Sequence, residues 1–274
     1  MRLADQLLQT LRQRAPITGL DVVDAHAHLG PYSLFHIPRP GPAAMVEVMD
    51  LTGVASATIS ANRGIQLEAD RGNAEVLAAA QDHPGRFLPV GVLNPWQDPD
   101  RTAAAIESEP DFCGLKIHPE LSRYPIDGPR HDPAFELSAR TGMPLLTHTS
   151  DESRFSTIAR VLRAAERHPE ATIILGHAGA TPTGVDHAID VVLAHPRTYL
   201  EICGSTMTSA LLRTMINTVG AGRVLFGSDF PFIDQRMSLG RVLTADLDDD
   251  QLVAVLGATA RRIFTRTPYE GAGP

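Results

Sequence analysis

Short apolar runs rich in β-branched residues recur along the chain at 22–27, 55–60, 87–93, 113–118, 144–149, 172–177, 198–203 and 223–228. Each is shorter than a typical helix and largely continuous in its apolarity, which predicts strands buried on both faces. Between the runs, apolar residues return at helical spacing over 42–51, 73–83, 133–141, 155–168, 185–194 and 209–219. A stripe of that period predicts helices packed on the sheet by one face. His83-Pro84-Gly85, His168-Pro169 and His195-Pro196 fall where these helices must end. Proline cannot continue a helix and disfavours helical backbone in the residue before it, so these three histidines read as helix-terminal residues and not as ligands.

Strands alternating with helices give a parallel sheet, and eight such units close naturally into a (β/α)8 TIM barrel of the α/β class. A doubly wound open sheet is the alternative. A length of 274 residues suits one barrel, and no linker or shift of composition divides the chain, so residues 1–274 read as a single domain. Residues 1–14 mix leucine with polar residues and predict an N-terminal amphipathic helix packed on the barrel as a lid or plug. The proline-rich stretch 30–41 follows the first strand, which in a barrel places it on the active face.

The composition, 43% hydrophobic and 20% charged, is that of a globular protein. No N-terminal apolar run is long enough for a secretory or membrane segment, so the expectation is a cytoplasmic protein without a membrane partner. Cys113 and Cys203, the two cysteines, lie far apart in apolar segments and read as reduced core thiols. With a net charge of −8 and no basic block, nucleic acid is not the expected partner, since phosphate binding needs clustered cations. A small molecule is.

His26 and His28 stand two apart on the first strand, and strand side chains alternate faces, so both imidazoles point into the barrel mouth. Lys116 and His118 end the fourth strand, His148 the fifth, His177 the sixth, and Asp229 follows the eighth. Structural histidines would scatter over helices and both strand ends. Their gathering at the C-terminal ends, where barrel enzymes keep their chemistry, indicates a metal site. Neutral imidazoles with a carboxylate suit a borderline divalent ion, Zn²⁺ first, with Mn²⁺, Fe²⁺ or Co²⁺ feasible.

The segments Asp24-Ala25-His26-Ala27-His28-Leu29, Gly114-Leu115-Lys116-Ile117-His118-Pro119, Leu146-Thr147-His148-Thr149, Leu175-Gly176-His177-Ala178-Gly179 and Phe226-Gly227-Ser228-Asp229-Phe230-Pro231 resemble, as an ordered set, the amidohydrolase-related metal-dependent hydrolases. This branch of the amidohydrolase superfamily includes aminocarboxymuconate semialdehyde decarboxylase. The resemblance runs over 24–264 and implies one divalent metal held by His26, His28, His148 and Asp229. It places His177 beside the reacting water, to orient or polarise it and the substrate, and makes Asp229 the proton acceptor. In a related branch a lysine on strand four is carboxylated and bridges two metals. Here Lys116 reads as a substrate-binding or supporting cation and the site as mononuclear. Ala258-Thr259 stands where the family usually has Asn-Ala, a departure that touches packing or capping.

His118 is a further candidate for substrate contact, as are Glu120, Arg123 and Tyr124 in the loop after it. Tyr32, Phe35, His36, Arg39, Arg63, Asn94 and Trp96 could shape the pocket, and arginines among them would favour a carboxylate-bearing substrate. Glu201, late on strand seven, could orient a metal ligand, whereas His131 and His187 read as surface residues. The leading expectation is hydrolysis of a lactone, amide or ester. The alternative is a decarboxylase or hydratase acting on a small unsaturated or aromatic acid. A non-catalytic binding barrel and a metal-dependent deoxyribonuclease fit less well, because the ligand set is intact and the chain is acidic. Family analogy implies a homodimer.

Overall fold

The computed structural model describes residues 2–264. Eight strands, β1 Val22–Leu29, β2 Val54–Ala61, β3 Phe87–Val92, β4 Gly114–Ile117, β5 Leu145–His148, β6 Ile173–Gly176, β7 Thr198–Glu201 and β8 Val224–Leu225, pair in sequence order, every pair parallel. The last gap, between β8 and β1, is closed by single contacts: Ala25 N–H donates to Phe226 O at 2.9 Å, Asp229 N–H to His26 O at 2.8 Å, and His28 N–H to Phe230 O at 2.7 Å. The chain is thus a (β/α)8 TIM barrel. β8 is shorter than the apolar run at 223–228, since past Leu225 the Phe226 N–H turns to Val255 O at 2.9 Å; Asp229 lies in the left-handed region, at φ 62°.

The six predicted helices are present as α2 Pro42–Thr52, α4 Ala69–Asp82, α7 Asp132–Thr141, α8 Ile158–Arg167, α9 Pro182–Ala194 and α10 Ser209–Val219. α8 starts three residues later than the pattern suggests, since Phe155 and Ser156 lend their carbonyls to Ile126 and Ser150 instead. His83, His168 and His195 are the C-terminal caps of α4, α8 and α9. Unforeseen elements are the short α3 Asn62–Gln66 and α6 Pro119–Ser122, α5 Pro99–Ser108 and α11 Gln235–Leu243. A closing run of α12 Asp249–Val253, a π-helical turn Ala254–Ala258 and α13 Thr259–Ile263 also goes beyond the pattern.

The N-terminal helix, α1 Leu3–Arg12, is neither lid nor plug. It lies on α11 and α12 in the outer ring, with Ala4 and Leu7 in the large cluster between strands and helices. The base of the barrel is filled instead by Val23, Ala25, Val90, Leu146, Ile174, Tyr199 and Leu225, packed with Ala260, Ile263 and Phe264. No helix among the described residues is long and apolar enough to cross a membrane.

Candidate metal centre

An irregularity in β1 sets the phase of the site. Asp24 pairs with Ala57 and Ala27 with Ile59, so three residues on β1 span two on β2, which is the count of a β-bulge. Before the bulge Val23 and Ala25 face inward; after it His26 and His28 do. Asp24 is left outside, between strand and helix, where its carboxylate accepts from Ser228 N at 2.9 Å and Gln235 Nε2 at 3.0 Å.

His26 is the hub. Its Nδ1 donates to Glu201 Oε2 at 2.7 Å and its Nε2 accepts from Lys116 Nζ at 2.8 Å, all three side chains being buried. Gly227 permits this approach, because a Cβ there would lie 2.2 Å from Glu201 Oε1 and 2.9 Å from His26 Cβ. Asp229 Oδ1 is 3.1 Å from His28 Nε2 and 3.7 Å from His26 Nε2. His28 Nδ1 meets Ser60 Oγ at 3.1 Å. Across the mouth, His148 stacks on His118 with centroids 4.4 Å apart and meets the ring of His177 at 4.7 Å. His177, with φ 65°, is turned by a left-handed backbone towards Cys203, whose sulfur lies 3.1 Å from its Nδ1.

Burial disfavours charge on these groups. It pushes His26, His28, His118 and His148 below the ordinary histidine range, the neighbouring cation Lys116 adding to the effect. It lowers Lys116 to about 8, opposed by Asp229, Cys203 and Glu201, and raises Glu201 and the Cys203 thiol. For Asp229 burial acts upward but is outweighed by the hydrogen bond from His28 and by the charges of His177, His26 and His28, which hold the carboxyl well below its usual range. The site thus gathers its imidazoles around the Asp229 carboxylate.

His26, His28, His118, His148, His177 and Asp229 all line one cavity of about 560 Å³. Lys116 is not among the lining residues; its ammonium meets His26 Nε2 at 2.8 Å, the contact of a supporting cation. Glu120 and Tyr32 line the cavity, but Arg63 turns to Glu75 at 2.6 Å and Arg39 to Glu47 at 2.7 Å, both at the surface. Trp96 and Tyr124 pack on each other, outside the lining. Exposed His187 pairs with Asp151, whereas His131, expected at the surface, is buried against Tyr124. Cys203 and the lining residues Glu152 and Phe232 were missed; only the position of Cys203, two beyond Glu201, hinted at them.

The donors fit a divalent ion. His26 Nε2 already directs its lone pair at a cation, the Lys116 ammonium, beside Asp229, and His148 Nδ1 is buried without a hydrogen-bond partner. Neutral imidazole and carboxylate are ordinary ligands for such an ion. One set of donor atoms, all within 4.8 Å of one another, is His26, His177, Cys203 and Asp229. It differs from the set expected from sequence by exchanging His28 and His148 for His177 and Cys203. The thiol lies outside the cavity lining, protonated and turned to Glu201, so it belongs to the support of the site.

A family model described as Amidohydrolase matches residues 23–266. Among solved structures, the chain is similar to 5-carboxyvanillate decarboxylase from Sphingomonas paucimobilis, with 20% identity and a TM-score of 0.72 over 90% of this chain and 99% of that one. A 2,6-dihydroxybenzoate decarboxylase complexed with 2,6-dihydroxybenzoate gives 19% identity and a TM-score of 0.71 over 90% of this chain and 99% of that one. The 5-carboxyvanillate decarboxylase from Novosphingobium aromaticivorans DSM 12444, complexed with manganese and 4-hydroxy-3-methoxy-5-nitrobenzoic acid, gives 16% identity and a TM-score of 0.69 over 90% and 96%. No curated protein matches the chain by sequence. The barrel, its histidine-lined mouth and the family match over nearly the whole chain together place this protein in the amidohydrolase family.

Proposed function

We propose that the chain is a mononuclear metal-dependent hydrolase of small neutral lactones, amides or esters, with the ion held by His26, His28, His148 and Asp229. The observation that carries this reading is the charge of the cavity wall. Among the described residues that line it there is no arginine or lysine, while Glu120 and Glu152 stand there with Asp229. A substrate carboxylate would meet no fixed cation of the chain, whereas a neutral carbonyl meets no repulsion.

When bound, a divalent ion supplies Lewis acidity, polarising a carbonyl and making water acidic near neutral pH. The residues do the rest. Glu201 fixes the His26 ring by its Nδ1–H, leaving Nε2 as the donor atom. Asp229, ionised at neutral pH, accepts the proton of the attacking water and passes it to the leaving group. His177 orients that water from the cavity wall, and stacking on His118 holds the His148 ring.

A second reading, decarboxylation of a small aromatic acid, draws support from the similarity to structures titled as decarboxylases, one of them with manganese. Metal analysis of wild-type and His148→Ala protein, followed by rates on neutral lactones and on hydroxybenzoates, separates the two. Expected are one ion per chain, lost in the variant, and hydrolysis of lactones at least about 100-fold faster than any release of CO2. Dominant CO2 release would make the chain a decarboxylase, two ions would assign Lys116 as a carboxylated bridge, and no ion after reconstitution would overturn the metal site.

A further inference from the structure

We propose that Cys203 is a positioning residue that sets the tautomer of His177, keeping the proton on Nδ1 and leaving Nε2 as a hydrogen-bond acceptor towards the cavity. The argument rests on where each proton around Glu201 must go. Two backbone N–H groups, of His177 and Cys203, point at the Glu201 carboxylate. Amide N–H can only donate, so the carboxylate is an acceptor there. His26 Nδ1–H donates to the same group, to Oε2 at 2.7 Å, which fixes that proton. The Cys203 thiol donates to Oε2 at 2.9 Å.

With its proton spent on Glu201, the sulfur has only lone pairs left for its other neighbours. His26 Nδ1 lies 3.2 Å away, but its proton goes to the nearer carboxylate. His177 Nδ1 lies 3.1 Å away. Were that nitrogen bare, two lone pairs would face each other in a buried space, so the arrangement is satisfied only when His177 carries its proton on Nδ1. His177 lines the cavity and Cys203 does not. The free nitrogen, Nε2, is then the one presented to substrate.

The chemical consequence rests on the proposed hydrolase reading. An imidazole with a bare Nε2 accepts a hydrogen bond from water, aiming the water's remaining lone pair at the carbonyl, and does not donate to a developing oxyanion. A donor tautomer would do the reverse. Glu201, Cys203 and His177 therefore extend the support of the site from the metal ligand His26 to the residue beside the reacting water. One carboxylate orders both.

The test is long-range ¹H–¹⁵N correlation on full-length, histidine-labelled protein, with and without added zinc, using His177→Asn to assign the His177 signals. Wild type is expected to show the Nδ1–H pattern in both states. Cys203→Ser, whose hydroxyl can donate and accept in the same way, should retain it, and Cys203→Ala should shift it towards Nε2–H. In turnover assays Cys203→Ala should lose about 10- to 100-fold in kcat with little change in KM, the range seen when outer partners of a site are removed, and Cys203→Ser should recover most of it. An Nε2–H pattern in wild type, or an unchanged Nδ1–H pattern in a folded Cys203→Ala, would overturn the assignment. Because the spectra need no substrate, a failed hydrolase reading leaves this result standing, and the wild-type spectrum decides even if Cys203→Ala does not fold.

Discussion

His131 lies against Tyr124, with ring centroids 5.3 Å apart, and its Nε2 is buried without a partner. Burial lowers its pKa to about 4, with a hydrogen bond donated to the Tyr124 backbone carbonyl and the charge of Asp132 opposing only in part. In the unfolded chain a histidine titrates near about 6.5. The folded form therefore binds the proton less well, so the stability it contributes is complete above about pH 6.5 and is lost as pH falls towards 4. His131→Gln should flatten the fall in unfolding free energy between pH 7 and 4 by up to about 3 kcal/mol in urea titrations. Parallel curves for the two proteins would refute the assignment. A lone histidine after proline and arginine reads as surface, and nothing local signals that Tyr124 will cover it.

At the scale of elements, α2 shows how a single backbone position ties a helix to its neighbour. Gly53 caps the helix at φ 82°, and a Cβ there would stand 2.2 Å from Ile17 O and 2.4 Å from Ile17 N. Gly53→Ala combines left-handed strain with a backbone clash and should destabilise by about 2–4 kcal/mol, read as a lower midpoint of chemical unfolding. A change below about 0.5 kcal/mol would mean that the loop at Ile17 yields freely. The strands and six of the helices were legible because the strands are continuous apolar runs and those helices carry an apolar stripe. α5 was not: two of its three buried residues, Thr102 and Ala103, are polar or small, and its start rests on capping by Asp98 with Pro99 behind it. The bulge in β1 was equally hidden: the sequence has no marker for it, and only pairing with β2 reveals the extra residue.

Over the whole molecule the least reinforced join is between β8 and β1, where single contacts replace a ladder. Asp24 braces it, accepting from Ser228 N, from the Ser228 hydroxyl, from Gln235 Nε2 at 3.0 Å and from His26 N at 3.2 Å. Asp24→Ala leaves these buried donors unmatched and should cost about 3 kcal/mol or more. Amide exchange of His28 and Asp229, which cross the same join, should accelerate ahead of that of β4 to β6. Uniform exchange across the barrel would show that Asp24 does not brace the closure.

The sequence by itself determined the eight βα units and the gathering of His26, His28, His118, His148, His177 and Asp229 at one mouth. Both follow from short-range rules, since periodicity records which face is buried and strand ends in a barrel share one side. Tertiary structure alone decided that Asp24 braces the closure while His26 faces inward, that the Lys116 ammonium meets His26 Nε2, and that Arg39 and Arg63 turn to surface glutamates. It also brought Glu201 and Cys203 onto His26, residues 175 and 177 positions away along the chain. Such partnerships depend on strand register and on distances between side chains remote in sequence, which no local pattern of apolar and polar residues encodes.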